Sequence, residues 1–168
     1  MAEMKAPPRE VPPDDNGYFE VLTKAVFLSG FRWSVVEAKW PRFRVALDGF
    51  DIDKVADYRP PDVERLLADE GIVRNARKIE GTVKNAETLQ QLIDQHGSVK
   101  AWLDTTAGLP WPQRRKAVAA PFSFFGDFGA YFFLWSVGEA VPPHDQRDTW
   151  SAPLPPGAPE SLESFAPD

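Results

Sequence analysis

The sequence predicts an all-α fold built from many short helices. Apolar residues recur at helical spacing through residues 18–138, and no window alternates apolar and polar residues over the length of a strand. Prolines and capping residues divide this region into short segments rather than the few long helices of a simple bundle. With 168 residues and a hydrophobic fraction of 43%, the chain has enough apolar material for one core.

The first elements follow from apolar spacing and helix signals. A helix is predicted from Tyr18, with Gly30 as the residue that ends it. A second helix begins at Trp33 and is interrupted or restarted at Pro41. Asp51 then caps a short helix, since its carboxylate can accept hydrogen bonds from the free amides of the first turn.

The later elements follow in the same way. Pro61 fits the first turn of a helix with the sequence DVERLLADE. A long amphipathic segment covers 72–95 and ends at Gly97, after which Ser98 caps a short helix. Pro112 begins a further helix with the sequence QRRKAVAA, and the last element is DFGAYFFLWSVG.

Charge and proline content divide the chain into a domain, 17–140, and two predicted flexible tails, 1–16 and 141–168. The tails hold four and seven prolines and carry charges of −2 and −4, which together account for the net charge of −6. The domain is therefore neutral, and a neutral domain can still carry a basic face. The acidic balance does not exclude a nucleic-acid partner.

The chain has no cysteine, and none of the common catalytic sequence motifs that we considered occurs in it. Disulfides and thiolate zinc sites are excluded, and P-loop, dinucleotide, GxSxG and HExxH motifs are missing. Basic residues cluster in two places, where they form either solvated helix faces or a nucleic-acid surface: Arg74, Arg77, Lys78 and Lys84, and Arg114, Arg115 and Lys116.

The segment FSFFGDFGAYF over 122–132 indicates a binding site for a phosphate. Gly126 lies between an aromatic turn and a helix, so free backbone N–H groups at the helix start can hold a phosphate. The alternative is a core hairpin with a turn glycine, and Asp127 would repel a phosphate there. Several aromatic residues pack in the core or line a pocket for a flat base: Phe27, Trp33, Phe122, Phe124, Phe125, Phe128 and Tyr131.

The stretch 18–86 resembles the bacterial 3-methyladenine DNA glycosylase I family, a group of helix-hairpin-helix DNA glycosylases. The units in this stretch that match in order are FE, SGFRW, FD-x-x-x-VA, DVERL and GIVRN-x-x-KI. The segment 122–138 resembles the family's hairpin and the helix after it, whereas 87–121 matches poorly.

The resemblance implies an all-α base-excision repair enzyme, for which we predict a monomer without a cofactor. With no cysteine, no apolar run of membrane-spanning length and a polar N-terminus, the protein is predicted to be cytoplasmic, and nucleoid-associated as a DNA repair enzyme. Such an enzyme bends double-stranded DNA, flips out an alkylated purine such as 3-methyladenine and hydrolyses its N-glycosidic bond. The hairpin turn Phe124–Gly126 would grip a phosphate, with Arg74 and Lys78 as further DNA contacts. The residues implied for base contact are Trp33, Ala25, Phe27 and Tyr131.

The sequence also departs from the family. Ala25 stands where the family has its pocket glutamate, and Arg32 replaces the serine before the tryptophan. The cysteines of the family's zinc site are missing and His144 alone lies near a ligand position, so zinc is predicted to be absent. Asp145 is the candidate catalytic carboxylate, although an aspartate in a proline-rich segment is more often a solvated loop residue. The alternatives are an inactive DNA-binding member of this fold and a protein-interaction domain.

Overall fold

The structure is a computed structural model that describes residues 7–155. Within this range it contains two 3₁₀ turns, Asp48–Phe50 and His144–Gln146, and eight α-helices: α1 (Asp15–Leu28), α2 (Trp33–Ala46), α3 (Ile52–Ala56), α4 (Pro60–Leu67), α5 (Ala76–His96), α6 (Val99–Thr106), α7 (Trp111–Ala119) and α8 (Asp127–Ser136). No strand occurs in the described range, so the predicted all-α fold is confirmed. None of these helices is long and apolar enough to cross a membrane.

Most helix ends lie where the capping residues predict them. The side chains of Asp51 and Ser98 each accept a hydrogen bond from the amide three residues further on, and Gly97 ends α5 with φ at 95°. Several boundaries differ from the prediction, most clearly those of α2 and α5. Helix α2 continues through Pro41, whose ring is exposed, and α5 begins only after Asn75, whose side chain caps it.

The core is formed around α1 and α8, which pack against each other. All residues of α8 from its third position onward are buried, because this helix is apolar on every side. At the other end of the core, the Trp40 ring stacks on Phe43 and Phe50, with centroids 4.8 and 5.2 Å apart. The ring of Trp33, which follows the α1–α2 turn, contacts Phe132 and thereby joins that region to α8.

Segments at both ends of the described chain pack on this core. The Arg9 guanidinium lies 4.3 Å from the Trp135 ring centroid and donates to the carbonyls of Trp135 and Glu139. The Trp111 indole N–H donates to the Arg147 carbonyl at 2.8 Å. Residues on both sides of the predicted domain 17–140 are therefore packed against its core. Residues 1–6 and 156–168 of the predicted tails lie outside the described residues.

Candidate nucleic-acid interface

Helices α7 and α8 form a hairpin whose turn is fixed to α5 by one buried side chain. The Ser123 amide donates to Asn85 Oδ1 at 2.7 Å, and Asn85 Nδ2 donates to the Ser123 carbonyl at 3.1 Å. Asn85 is only 2% exposed, so water does not replace these bonds easily. This pair of hydrogen bonds sets the position of the turn relative to α5.

The hairpin turn presents free backbone donors. In the described part of the chain, the amides of Phe124, Phe125 and Gly126 have no hydrogen-bond acceptor. A Cβ atom on Gly126 would have no neighbour within 4 Å, so the space beside this amide is open. Arg115 Nε lies 3.6 Å from the Asp127 carboxylate, and this partner offsets the negative charge at the start of α8.

The first two turns of α5 lie between the hairpin turn and the α1–α2 turn. The buried Lys78 ammonium donates to the Ser29 carbonyl and lies 5.0 Å from the Phe31 ring centroid. The neighbouring Arg77 guanidinium lies 5.7 Å from the Phe124 ring centroid. Burial lowers the pKa of Lys78. Helix α5 thus places two successive cations beside two exposed aromatic rings.

The predicted basic residues divide into paired and unpaired groups. Arg74 and Arg77 are exposed, and neither has a carboxylate within 4.0 Å among residues 7–155. Arg42, in contrast, binds Asp69 at 2.8 Å. In the second predicted cluster, Arg114 is buried, so this cluster is not one solvated face. The start of α5 therefore carries two positive charges, those of Arg74 and Arg77, that no carboxylate of the described residues neutralises.

Trp33 lies close to the hairpin. Its half-buried ring packs against Phe132 with centroids 5.9 Å apart, and Phe132 in turn contacts Phe128 in the first turn of α8 at 6.1 Å. The Lys24 ammonium lies 5.1 Å from the Trp33 ring centroid and binds Glu37 at 2.8 Å. The predicted base-stacking residue thus contacts α8, the helix that begins directly after the predicted phosphate-binding turn.

The other residues implied for base contact are buried. Ala25 is 0% exposed, and Phe27 packs on Phe43 at a centroid distance of 4.8 Å. The Tyr131 hydroxyl donates to the Pro142 carbonyl at 2.7 Å, and burial raises the pKa of Tyr131. The structure explains these three side chains by packing, and their contact with a base stays a prediction.

Asp145 is exposed in the 3₁₀ turn that follows Pro143. Beside it, the His144 ring packs against Tyr131 at 5.9 Å, and His144 Nδ1 lies 3.4 Å from the Arg147 guanidinium. Within residues 7–155 no three His, Asp or Glu side chains lie close enough to hold a metal ion. The Arg147 guanidinium thus occupies the Nδ1 side of the His144 ring.

An open groove of about 780 Å³ lies next to the start of α5. Apolar residues such as Phe31 and Val35 line it together with three cations and one carboxylate: Lys39, Arg74, Arg77 and Glu70. Of the predicted site residues, only Arg74 lines it. The Trp33 ring and the hairpin turn do not line the groove, but Arg77, which lines it, lies 5.7 Å from the Phe124 ring centroid in the hairpin turn.

Sequence reasoning missed two residues of this region. Asn85 is a polar residue on the apolar face of an amphipathic helix, and this position could have indicated a buried hydrogen-bond partner. Lys24 lies beside the Ala25 position in the sequence, but only the fold shows that its ammonium reaches Trp33. No local pattern predicts that contact.

A helical hairpin turn with free amides, a helix start with unpaired arginines and exposed aromatic rings lie together in this all-α fold, and these features are those of a candidate DNA-binding protein. A sequence model of the methyladenine glycosylase family matches residues 10–123, which is more than half of the chain. The chain therefore belongs to the methyladenine glycosylase family. The match ends just before the hairpin turn at Phe124–Gly126.

Two curated relatives agree with this membership. The chain is 34% identical over 84 residues to DNA-3-methyladenine glycosylase 1 of Escherichia coli K12, covering 50% of this chain and 44% of that protein. It is 30% identical over 74 residues to the DNA-3-methyladenine glycosylase of Haemophilus influenzae, covering 44% and 40%. The matched stretch thus spans less than half the length of these relatives.

Solved structures support the fold over a longer range. A crystal structure of 3-methyladenine DNA glycosylase I superposes with a TM-score of 0.65 at 26% identity, covering 76% of this chain and 81% of that one. The Staphylococcus aureus 3-methyladenine DNA glycosylase I superposes with a TM-score of 0.67 at 22% identity, covering 79% of both. The second likeness shows the fold alone.

Proposed function

We propose that this protein is a base-excision repair DNA glycosylase that hydrolyses the N-glycosidic bond of a flipped alkylated purine, of the 3-methyladenine kind. The observation that carries this proposal is the contact of Trp33 with Phe132 on α8, the helix that begins directly after the free amides of the hairpin turn. The named activity of the curated relatives supports the same reaction. No metal is needed for it.

The hairpin turn would hold the DNA backbone. Three amides without acceptors, an open space at Gly126 and the positive end of the α8 dipole suit a phosphate oxygen. Arg74 and Arg77 would add phosphate contacts that position the duplex without reading its sequence. Lys78 holds the α1–α2 turn through Ser29 and keeps this second loop at the same surface.

Trp33 would receive the flipped base. A purine can stack on an indole ring, and stacking on an aromatic side chain is worth about 1–3 kcal/mol per base. In the reaction, water adds to C1′ of the sugar and the C1′–N bond breaks. The base leaves with the electron pair of that bond, and the proton lost by the water is accepted by solvent or by a nearby base.

Asp145 is proposed as the carboxylate that favours this step. Its charge would stabilise the developing sugar cation or orient the water. The exposed position of Asp145 leaves it free to approach bound DNA. Replacing it in the variant Asp145→Asn would lower the excision rate and leave duplex affinity nearly unchanged. An equal excision rate would remove Asp145 from the mechanism.

The buried Ala25 favours a second candidate function, a DNA-binding member without excision activity. The position where the family resemblance implies a glutamate holds a methyl group that is 0% exposed, so no carboxylate reads the base from there. The hairpin turn and the start of α5 are independent of that position. DNA binding would therefore persist in either case.

The experiment that separates the two functions measures release of alkylated bases from a methylated duplex, together with duplex affinity. The wild-type protein is expected to release 3-methyladenine, and Trp33→Ala is expected to bind DNA but release little. Trp150→Ala, at another half-buried tryptophan, is the control and should excise normally. Tight duplex binding without base release by the wild type would favour the non-enzymatic function.

A further inference from the structure

We infer that the open groove next to the start of α5 is a second DNA-binding site, which holds the unpaired nucleotide opposite the damaged base. This second site depends on the proposed function, since a base that is flipped out of a duplex leaves its partner on the other strand without a pair. It gives a role to a surface that the excision reaction at Trp33 does not use.

The groove combines exposed apolar side chains with cations. Phe31 and Val35 are 41% and 40% exposed, and they line the groove together with Lys39, Arg74 and Arg77. Its volume of about 780 Å³ lies within the range of about 300–1,000 Å³ that is typical of ligand sites. An aromatic ring on which a base stacks and cations that follow the backbone are the two means by which proteins hold unpaired nucleotides.

The charge of the groove suits a phosphate. Three cations and one carboxylate line it, so its net charge is +2. The Lys39 ammonium donates to the Glu70 carbonyl at 3.2 Å, and this acceptor is uncharged. The neighbouring Asp69 carboxylate is bound by Arg42 at 2.8 Å, and the two arginines that line the groove have no carboxylate within 4.0 Å among residues 7–155. A DNA phosphate would complement this charge.

The apolar side chains favour an unpaired nucleotide over an intact duplex. In a duplex the faces of the bases are covered by stacking, and the surface offers phosphates, sugars and base edges. Cations bind the backbone of either form. Only a base that has left the stack can place its apolar face on the Phe31 ring, and the exposed Val35 extends the apolar surface that such a base would cover.

The groove adjoins both parts of the proposed excision site. Phe31 lies in the α1–α2 turn, two residues before Trp33, and its ring centroid is 5.0 Å from the Lys78 ammonium. On the other side, Arg77 lies 5.7 Å from the ring centroid of Phe124 in the hairpin turn. A strand opposite the damaged base would therefore meet the groove while the damaged strand is held by the hairpin turn.

The test compares two duplexes that carry a tetrahydrofuran abasic site, one with adenine opposite this site and one with a second tetrahydrofuran there. The wild type is expected to bind the duplex with adenine about fivefold or more tightly, because stacking on an aromatic ring stabilises a base by about that factor or more. Val35→Asp places a carboxylate in the groove and should abolish this preference. Val45→Asp, at an exposed valine of α2 that does not line the groove, is the matched control and should keep it.

A second pair of variants shows whether stacking is the cause. Phe31→Ala removes the ring and should bring the two affinities to within twofold of each other, whereas Phe31→Tyr keeps a ring and should keep the preference.

Two results would overturn this inference and leave the proposed excision function intact. One is a wild type that binds both duplexes but does not prefer the duplex with adenine. The other is a Val35→Asp variant that weakens both duplexes by the same factor, since the groove would then contact the duplex backbone alone. A wild type that binds neither duplex would overturn the second site and the proposed function together.

Discussion

Replacement of Asn85 by alanine is expected to release the hairpin turn from α5. The side chain makes two hydrogen bonds to Ser123, at 2.7 and 3.1 Å, and is 2% exposed. Each such bond contributes about 1 kcal/mol net, and a buried partner left without its bond costs more. The expected loss is about 2–3 kcal/mol in the free energy of unfolding, a large fraction of typical domain stability.

Chemical denaturation measures this loss, and duplex affinity measures its functional consequence. Where Asn85→Ala remains folded, we expect its affinity for duplex DNA to fall about tenfold, because the free amides of the turn are no longer held in one orientation. Thr82→Val is the control on the same helix. Its hydroxyl is also buried but donates only to the Lys78 carbonyl within α5, so duplex affinity should not change.

The reasoning fails if Asn85→Ala loses less than about 0.5 kcal/mol, within the range of an ordinary surface substitution. It also fails if the variant is destabilised but binds duplex DNA as the wild type does. That second result would show that DNA binding does not depend on how Asn85 holds the turn. A Thr82→Val variant that weakens DNA binding equally would point to a general effect of α5.

Three further predictions follow from the same surface. Gly126→Ala should fold with unchanged stability, since its Cβ meets nothing within 4 Å, yet bind duplex DNA several-fold more weakly if a phosphate fills that space. In Arg74→Ser, the slope of log affinity against log salt should fall by about 1 unit. The stability of Lys78→Met relative to the wild type should fall as the pH rises toward 10.5, because the wild type loses the cost of its buried charge there.

The sign of the Lys78 prediction comes from its lowered pKa. Because burial lowers the pKa in the folded state, the folded protein binds fewer protons there than the unfolded chain below pH 10.5. The cost of the buried charge is therefore largest at lower pH and disappears as the ammonium loses its proton. A difference that stays constant from pH 7 to pH 10.5 would contradict this.

Arg59→Ser, at an exposed arginine before α4, is the control for Arg74→Ser and should leave the salt slope unchanged.

The helices and the hairpin could be predicted from the sequence because local signals specify them. Capping side chains at Asp51 and Ser98 and the positive φ of Gly97 act within a single turn, so their effect on the backbone does not depend on the rest of the fold. Pro41 is the exception. Its exposed place on α2 lets the helix continue where a local rule predicts an interruption.

The surroundings of the site depend on contacts between distant residues, and these have no local signal. Phe27 and Tyr131 lie on helices whose aromatic residues are numerous, and spacing alone does not tell a core-facing ring from one that lines a pocket. Likewise Arg114 belongs to an apparent surface cluster, but its partner Glu139 is 25 residues away and makes it a buried ion pair. The fold decides these cases.

A single-turnover experiment tests the central claim most directly. With the wild-type protein in excess over a duplex that carries one 3-methyladenine, and binding verified as complete, the account predicts release of the free base and an abasic site at a rate well above that of the duplex alone. Trp33→Ala under the same saturation should lose most of that rate. A fully bound duplex whose glycosidic bond breaks no faster than in free DNA would contradict the account.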